Sequence, residues 1–373
     1  MLETVLLHPR KLWVRKALFQ VHLWAGVLLS LYMVAISLSG SILVFQDEIR
    51  RAALARPPLE LSRVAPISAV VARVQKQFPR GRLTFVEFPQ AENPWWTVYV
   101  EDAHANRRMI YADPASGIPV EQTGRLFIDF VLDLHVYLLA GQTGFVVNCI
   151  AGSGLFVLAL TGAILWWPGV KLWRRALTVS LKHRWRRVNY DLHNAVGLWT
   201  LLIVSWWGIT AIYFLFPQQV ASVVNVVSPV RSMKPPLPPR REPGSGIATV
   251  DAIVGALPAS ASEHLSGVAL PGKPGDDVAV YVDRGAAGDF SHRDIFTFDG
   301  RTAKLLTVWH YGEKQSLGDW ILWLMYPLHF GTVWGGGVKV LWAALGLCVS
   351  LLSVTGLLMY WNRKLSKLFK VAA

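Results

Sequence analysis

Two stretches, DLHVYLLAGQTG at residues 133–144 and LHFGTVWGG at residues 328–336, decide the reading of this chain, because the histidine in each starts the same downstream register. From His135 a Gly follows at +17, a Thr-Gly pair at +26 and +27, and a Trp at +32, which are Gly152, Thr161-Gly162 and Trp167. From His329 the same offsets give Gly346, Thr355-Gly356 and Trp361. Earlier segments repeat as well: His22 and His193 each have Gly at +4 (Gly26, Gly197) and Phe at +23 (Phe45, Phe216). The chain reads as an internal duplication that carries a histidine at four equivalent helix positions.

The composition points to a bilayer, since 53% of the residues are hydrophobic, 16% are charged and the mean hydropathy is +0.37. Apolar runs at 21–45, 145–167, 192–216 and 338–361 each exceed the roughly 20 residues a helix needs to cross a hydrocarbon core of about 30 Å. None contains Asp, Glu or Arg, and Lys339 stands at an end from which it can snorkel. The first run is too long for a signal-peptide core and shows no small-x-small cleavage site, so it is expected to remain as an anchor.

A net charge of +13 could suggest nucleic acid, but its distribution argues for membrane topology. Segments 1–20, 168–189 and 362–373 hold 4, 7 and 4 Lys or Arg against one acidic residue, whereas 46–126 and 217–318 are nearly neutral. The positive-inside rule then puts both termini and the central loop in the cytoplasm and the two long segments outside. The basic loop is read as contacting anionic lipid, and no nucleic-acid partner is expected. Cys149 and Cys348 sit in apolar runs at non-equivalent positions and read as packing residues.

Each long outer segment has the pattern of a small α+β unit. In the first, 66–78 has helical periodicity and strand-like runs follow at 82–88, 95–101 and 107–112. In the second, a helix over 248–256 precedes strands at 264–270, 277–283 and 293–299, after a Pro- and Gly-rich linker at 228–246. Apolar segments 126–140 and 320–334 are expected as short helices on the outer membrane face. Gly141-Gln-Thr-Gly144 and Gly335-Gly-Gly337 break the helix before spans two and four.

This layout places His135 and His329 at the outer face and His22 and His193 near the inner face. Two neutral imidazoles facing each other among helices suit haem iron, whose potential the axial ligands tune. Gly26 and Gly197, one turn from His22 and His193, leave room on the histidine face for a flat macrocycle. Asp133 and Asp191, each two residues before a histidine, are candidates to orient it. No Cys-x-x-Cys-His occurs, so attachment is expected to be non-covalent. Zinc fits less well, because it takes three or four ligands and no Cys, Asp or Glu cluster accompanies either pair. One interfacial histidine is ordinarily an amphipathic anchor; four in register favour ligation. His8, His104, His183, His264 and His292 read as solvated, while His310 and Tyr311, in Trp309-His310-Tyr311, are candidate substrate contacts.

The strings HLWAGVLLSLYMVAISLSG (22–40), DLHVYLLAGQTG with LFVLALTGAILWWPG (155–169), DLHNAVGLWTLLIVSWWGITAIYFLF (191–216), and LHFGTVWGG with LLSVTGLLMYW (351–361) together resemble the PepSY-associated transmembrane family. The resemblance covers all four spans, and the outer segments look like that family's two PepSY domains. It implies an integral, mainly α protein divided as cytoplasmic 1–20, span 21–45, periplasmic PepSY-like domain 46–126, interfacial helix plus span 127–167, and basic loop 168–189. The second half follows as span 190–216, periplasmic PepSY-like domain 217–318, interfacial helix plus span 319–361, and cytoplasmic 362–373. It further implies a bacterial inner-membrane ferric-siderophore reductase with two b-type haems. The resemblance implies ligand roles for all four histidines, and their depths then pair His22 with His193 at the cytoplasmic-side haem and His135 with His329 at the periplasmic-side one. Without a Gly-x-Gly-x-x-Gly fingerprint, a separate cytoplasmic or membrane electron donor is expected. Two other classes compete: a non-catalytic PepSY scaffold that regulates a peptidase, and a siderophore or metal transporter. The absence of acidic residues within the spans weighs against the transporter.

Overall fold

The computed structural model describes residues 13–53, 63–90, 93–103, 107–120, 127–237, 239, 246–262, 264–285, 292–332 and 336–366. Residues 1–12 and 367–373 of the two terminal segments, together with His104 and Gly335, lie outside the described residues. The principal elements begin with α1 (Trp13–Leu43), α2 (Gln46–Ala53), α3 (Ile67–Gln77), β1 (Arg82–Glu87), β2 (Trp96–Glu101) and β3 (Arg107–Ala112). They continue with α4 (Phe127–Tyr137), α5 (Gly141–Trp166), α6 (Trp185–Trp199), α7 (Leu201–Leu215) and α8 (Val250–Gly255). Strands β4 (Leu265–Ala269), β5 (Val278–Asp283), β6 (Arg293–Phe298) and β7 (Leu305–Tyr311) follow, and then α9 (Leu317–Leu324), α10 (Pro327–Phe330) and α11 (Gly336–Tyr360).

The long helices are built inside out relative to a water-soluble core. On α1 the large side chains Leu28 and Leu31 are 82% and 81% exposed, while Ser30, Ser39 and Ser41 are buried. Lipid tails are as apolar as leucine, so such helices associate through small residues and hydrogen bonds instead. Ser41 donates to the Ala343 carbonyl at 3.0 Å, and a Cβ at Gly346 would stand 2.3 Å from the Ser41 hydroxyl. At the other seam, a Cβ at Gly208 of α7 would lie 2.5 Å from the Phe156 backbone nitrogen of α5. Close approach at these glycines joins α1 to α11 and α5 to α7.

Helices α1, α5 and α11 are long and apolar enough to cross a membrane, and α6 with α7 makes a fourth span if that bent pair counts as one. The bend corrects the expectation of a continuous helix over 192–216. The two segments meet at 67°, around Thr200. Neither contains proline; the Thr200 hydroxyl donates back to the Val196 carbonyl at 2.9 Å, a bond of the kind that bends helices. A second correction concerns 320–334, expected as one short helix. Pro327 cannot continue a helix, and two elements form on either side of Met325-Tyr326.

The outer segments do not form separate sheets. Their strands make one antiparallel sheet of seven, in the order β3-β2-β1-β4-β5-β6-β7. Its seam is β1 against β4, with Phe85 opposite Ala269, Val86 opposite Val268 and Glu87 opposite Gly267. Two three-stranded sheets would each leave a long edge unpaired, and joining them satisfies both edges. Glycine is needed at 267, where a Cβ would come within 2.5 Å of the Phe85 ring. Helices α3 and α8 cover one face, and Val70, Val74, Val86, Trp96, Val98, Ile253, Val268, Val280 and Phe296 form a common core. The seventh strand is unexpected from the sequence; among the described residues its counterpart in the first half is an isolated bridge, Ala112 to Pro119. Pro119 lacks the N–H that a longer ladder would use.

A shared core makes a specific prediction. Replacing Trp96, fully buried in β2, by Ala should cost about 3–5 kcal/mol. Hydrogen exchange should then speed up in β5 and β6 as well as in β1 to β3; protection unchanged in 278–298 would show that the segments fold independently.

Candidate functional site

The four repeated histidines meet as two pairs. His22 on α1 and His193 on α6 have ring centres 6.3 Å apart with planes at 87°. His135 on α4 and His329 on α10 are also 6.3 Å apart, with planes at 60°. Each pair combines a ring from the first half of the chain with one from the second. His22 lies on α1, and His135 touches the same helix at Ser39 and Gly40, so the pairs are separated by roughly 26 Å of helix.

Local backbone explains how the rings on the sheet side are held. After His135 the chain leaves α4 through Leu138, Leu139 and Gly141, all left-handed, with φ of 48°, 60° and 55°. The break therefore begins ahead of the expected Gly141–Gly144 motif. In the second half it is Gly331, at φ 74°, that caps α10 just after His329, ahead of the expected 335–337 glycines. Two straps then tie these turns to the spans. Asn148 Nδ2 donates to the His135 carbonyl at 2.6 Å, and Trp342 Nε1 donates to the Leu328 carbonyl at 2.8 Å. The two residues occupy equivalent places, 13 positions after each histidine, but their types have diverged.

All four Nδ1 atoms are engaged by hydroxyl side chains. His22 meets Thr161 Oγ1 at 2.9 Å and His193 meets Thr355 Oγ1 at 2.9 Å. His329 meets Thr210 Oγ1 at 2.7 Å. His135 meets both Ser39 Oγ and the Ile36 carbonyl at 3.0 Å. Glycines make room for these rings: a Cβ at Gly162 or Gly356 would lie 3.3 Å from Cε1 of His22 or His193, and one at Gly40 only 2.9 Å from Cε1 of His135. The Thr-Gly pairs thus cradle histidines, beyond letting helices approach. Sequence reasoning missed this role, although the pairs recur at a fixed offset from His135 and His329. The missing link was that each serves a histidine in the preceding span.

Asp133 and Asp191 are not the orienting groups. Asp191 receives the Arg187 guanidinium at 2.9 Å, and Nδ1 of His135 and of His193 goes to a hydroxyl, in His135 also to the Ile36 carbonyl. Gly26 and Gly197 are uncrowded: a Cβ there would meet only Leu158 or Leu352, at 3.8 and 3.7 Å, which leaves free surface beside each histidine. His310 and Tyr311 do not act together, because successive strand residues point to opposite faces. His310 is exposed on the face that carries α3 and α8 and bonds Asp294 at 2.7 Å. Tyr311 packs on the other face near Tyr213, Val230 and Trp323, where burial raises its phenol above the ordinary value. On that same helix-facing side, Tyr99 donates to Glu87 at 2.9 Å, and burial raises the Glu87 carboxyl.

The geometry limits what the pairs can bind. A metal held at about 2 Å by two opposed ring nitrogens, each a little over ~1 Å from its ring centre, sets the centres a little over ~6 Å apart. Both pairs meet that spacing. Among the described residues no group of three or more His, Cys, Asp or Glu could complete a protein-only metal site. Two axial imidazoles alone suffice for an iron whose equatorial positions a porphyrin fills.

Spanning helices, a sheet on one side and paired, half-buried histidines define a multi-pass membrane protein. The chain belongs to the PepSY-associated TM region family, whose profile matches residues 19–363. It is 26% identical over 269 residues to a Pseudomonas aeruginosa protein described as uncharacterized, an alignment covering 64% of each chain. This chain therefore spans less than two thirds of that relative's length.

The pairing is testable by substitution. Titrated with ferric haem, His22→Ala and His193→Ala should lose the same one of two absorbing centres, and His135→Ala and His329→Ala the other. Loss of one common centre in His22→Ala and His329→Ala would contradict the pairing.

Proposed function

We propose that this protein is a duplicated, four-span electron conduit of the bacterial inner membrane that reduces a ferric siderophore on the periplasmic side and so releases ferrous iron. The observation that carries the reading is the presence of two imidazole pairs of one spacing at opposite ends of the helices. One b-type haem per pair, bound non-covalently, would supply one-electron exchange between ferric and ferrous iron. The protein's own work is positional. His22 with His193 would hold the cytoplasmic-side haem and His135 with His329 the periplasmic-side one, while the helices exclude water around both.

The basic segments 1–20, 168–189 and 362–373 orient the chain with both termini in the cytoplasm. Arg15 at that end donates to the Ile164 and Trp167 carbonyls at 3.0 and 2.8 Å, a cation at the C-terminus of α5. The sheet, built from the two PepSY-like segments, then faces the periplasm, where the chelate is held. Tyr311 lies on the sheet face turned to the helices and is the better placed of the two candidate contacts; His310 lies on the far face. A separate donor, soluble in the cytoplasm or resident in the bilayer, supplies the electrons. Ferrous iron leaves because hard oxygen chelators hold it less tightly than ferric iron.

The reading predicts that anaerobic, dithionite-reduced protein, freed of excess reductant, is reoxidised by a ferric siderophore and not by the iron-free chelator. Ferrous iron should appear in step, trapped by a ferrous-specific dye. Protein that carries haem yet stays reduced with every ferric chelate offered would contradict it.

A further inference from the structure

We infer that Thr161, Thr355, Ser39 and Thr210 are positioning residues that hold each histidine in one tautomer, turn its Nε2 to the opposite ring, and set the redox potential of their own centre. The inference rests on the haem reading above and adds the residues that tune it. Its basis is an accounting of hydrogens. A hydroxyl has one proton to give. Thr161 Oγ1 stands 2.7 Å from the Val157 carbonyl, and Thr355 Oγ1 stands 2.7 Å from the Leu351 carbonyl. Thr210 Oγ1 is 2.8 Å from the Trp207 carbonyl and Ser39 Oγ 2.9 Å from the Ile36 carbonyl. A carbonyl only accepts, so in all four cases the hydroxyl proton is committed to the helix backbone.

The hydroxyl oxygen is then left to accept, and the imidazole Nδ1 must donate to it. His135 gives an independent check, because its Nδ1 also lies 3.0 Å from the Ile36 carbonyl, which cannot donate. Every ring therefore carries its proton on Nδ1 and a bare lone pair on Nε2. Within each pair the ring centres lie 6.3 Å apart, the spacing at which two such lone pairs could share one metal. An acceptor on Nδ1–H also makes the ring a more basic ligand, which favours ferric over ferrous iron.

The repeat sharpens the expectation. Thr161 serves His22 and Thr355 serves His193, so residues from opposite halves of the chain bear on one centre. Ser39 and Thr210 serve His135 and His329, and bear on the other.

The test is a spectroelectrochemical titration of purified, haem-loaded full chain and its variants. Thr161→Val and Thr355→Val keep the side-chain shape and remove the acceptor. Each should raise the potential of the same haem, by about 59 mV for every tenfold by which ferric binding weakens more than ferrous. Each should also loosen that haem by 10- to 100-fold and leave the other unmoved. Ser39→Ala and Thr210→Val should shift only the second haem, less for Ser39→Ala because the Ile36 carbonyl still accepts. Thr161→Ser should restore the wild-type value. Two retained haems with unmoved potentials, or both haems shifting alike, would overturn the inference and leave the conduit reading standing. Wild-type protein that binds no haem would remove both.

Discussion

The opposition of two uncharged imidazoles inside a helical bundle, repeated at each end, is the constraint around which this molecule is arranged. Burying a polar ring without partners is costly, and here each ring is satisfied on one side only. Nδ1 is taken by a hydroxyl from a neighbouring helix, and the two rings of each pair lie with their centres 6.3 Å apart. Such an arrangement makes sense where a third body sits between the rings.

The helices serve this arrangement through small residues. Serines, threonines and glycines occupy the inner seams and leucines the outer surface, which brings backbones close and supplies the acceptors the histidines need. Each hydroxyl bond lies within one half of the chain, whereas each histidine pair joins the two halves. The sheet repeats that logic outside the bundle: three strands from one segment and four from the other share a seam and a core.

Much of this was legible before any coordinates. Histidine register, the three long apolar helices and six of the seven described strands follow from periodicity and spacing, since helices and strands repeat at 3.6 and 2.0 residues. What escaped is what periodicity cannot carry. The bend at Thr200 falls in a run without proline to mark it, and the β1–β4 seam joins residues 180 to 184 positions apart that no local pattern connects. The orienting hydroxyls escaped because Asp133 and Asp191 stood nearer in sequence, while Thr161 lies 139 residues from His22. Asn148 and Trp342 do equivalent work with unlike side chains, so a search for matched residue types passes over them.

The most direct measurement is the b-type haem content of the purified protein, quantified by pyridine haemochrome against protein concentration. The account requires two haems per chain, both six-coordinate in the oxidised protein. A preparation from haem-replete cells that carries none, or only one, would contradict it.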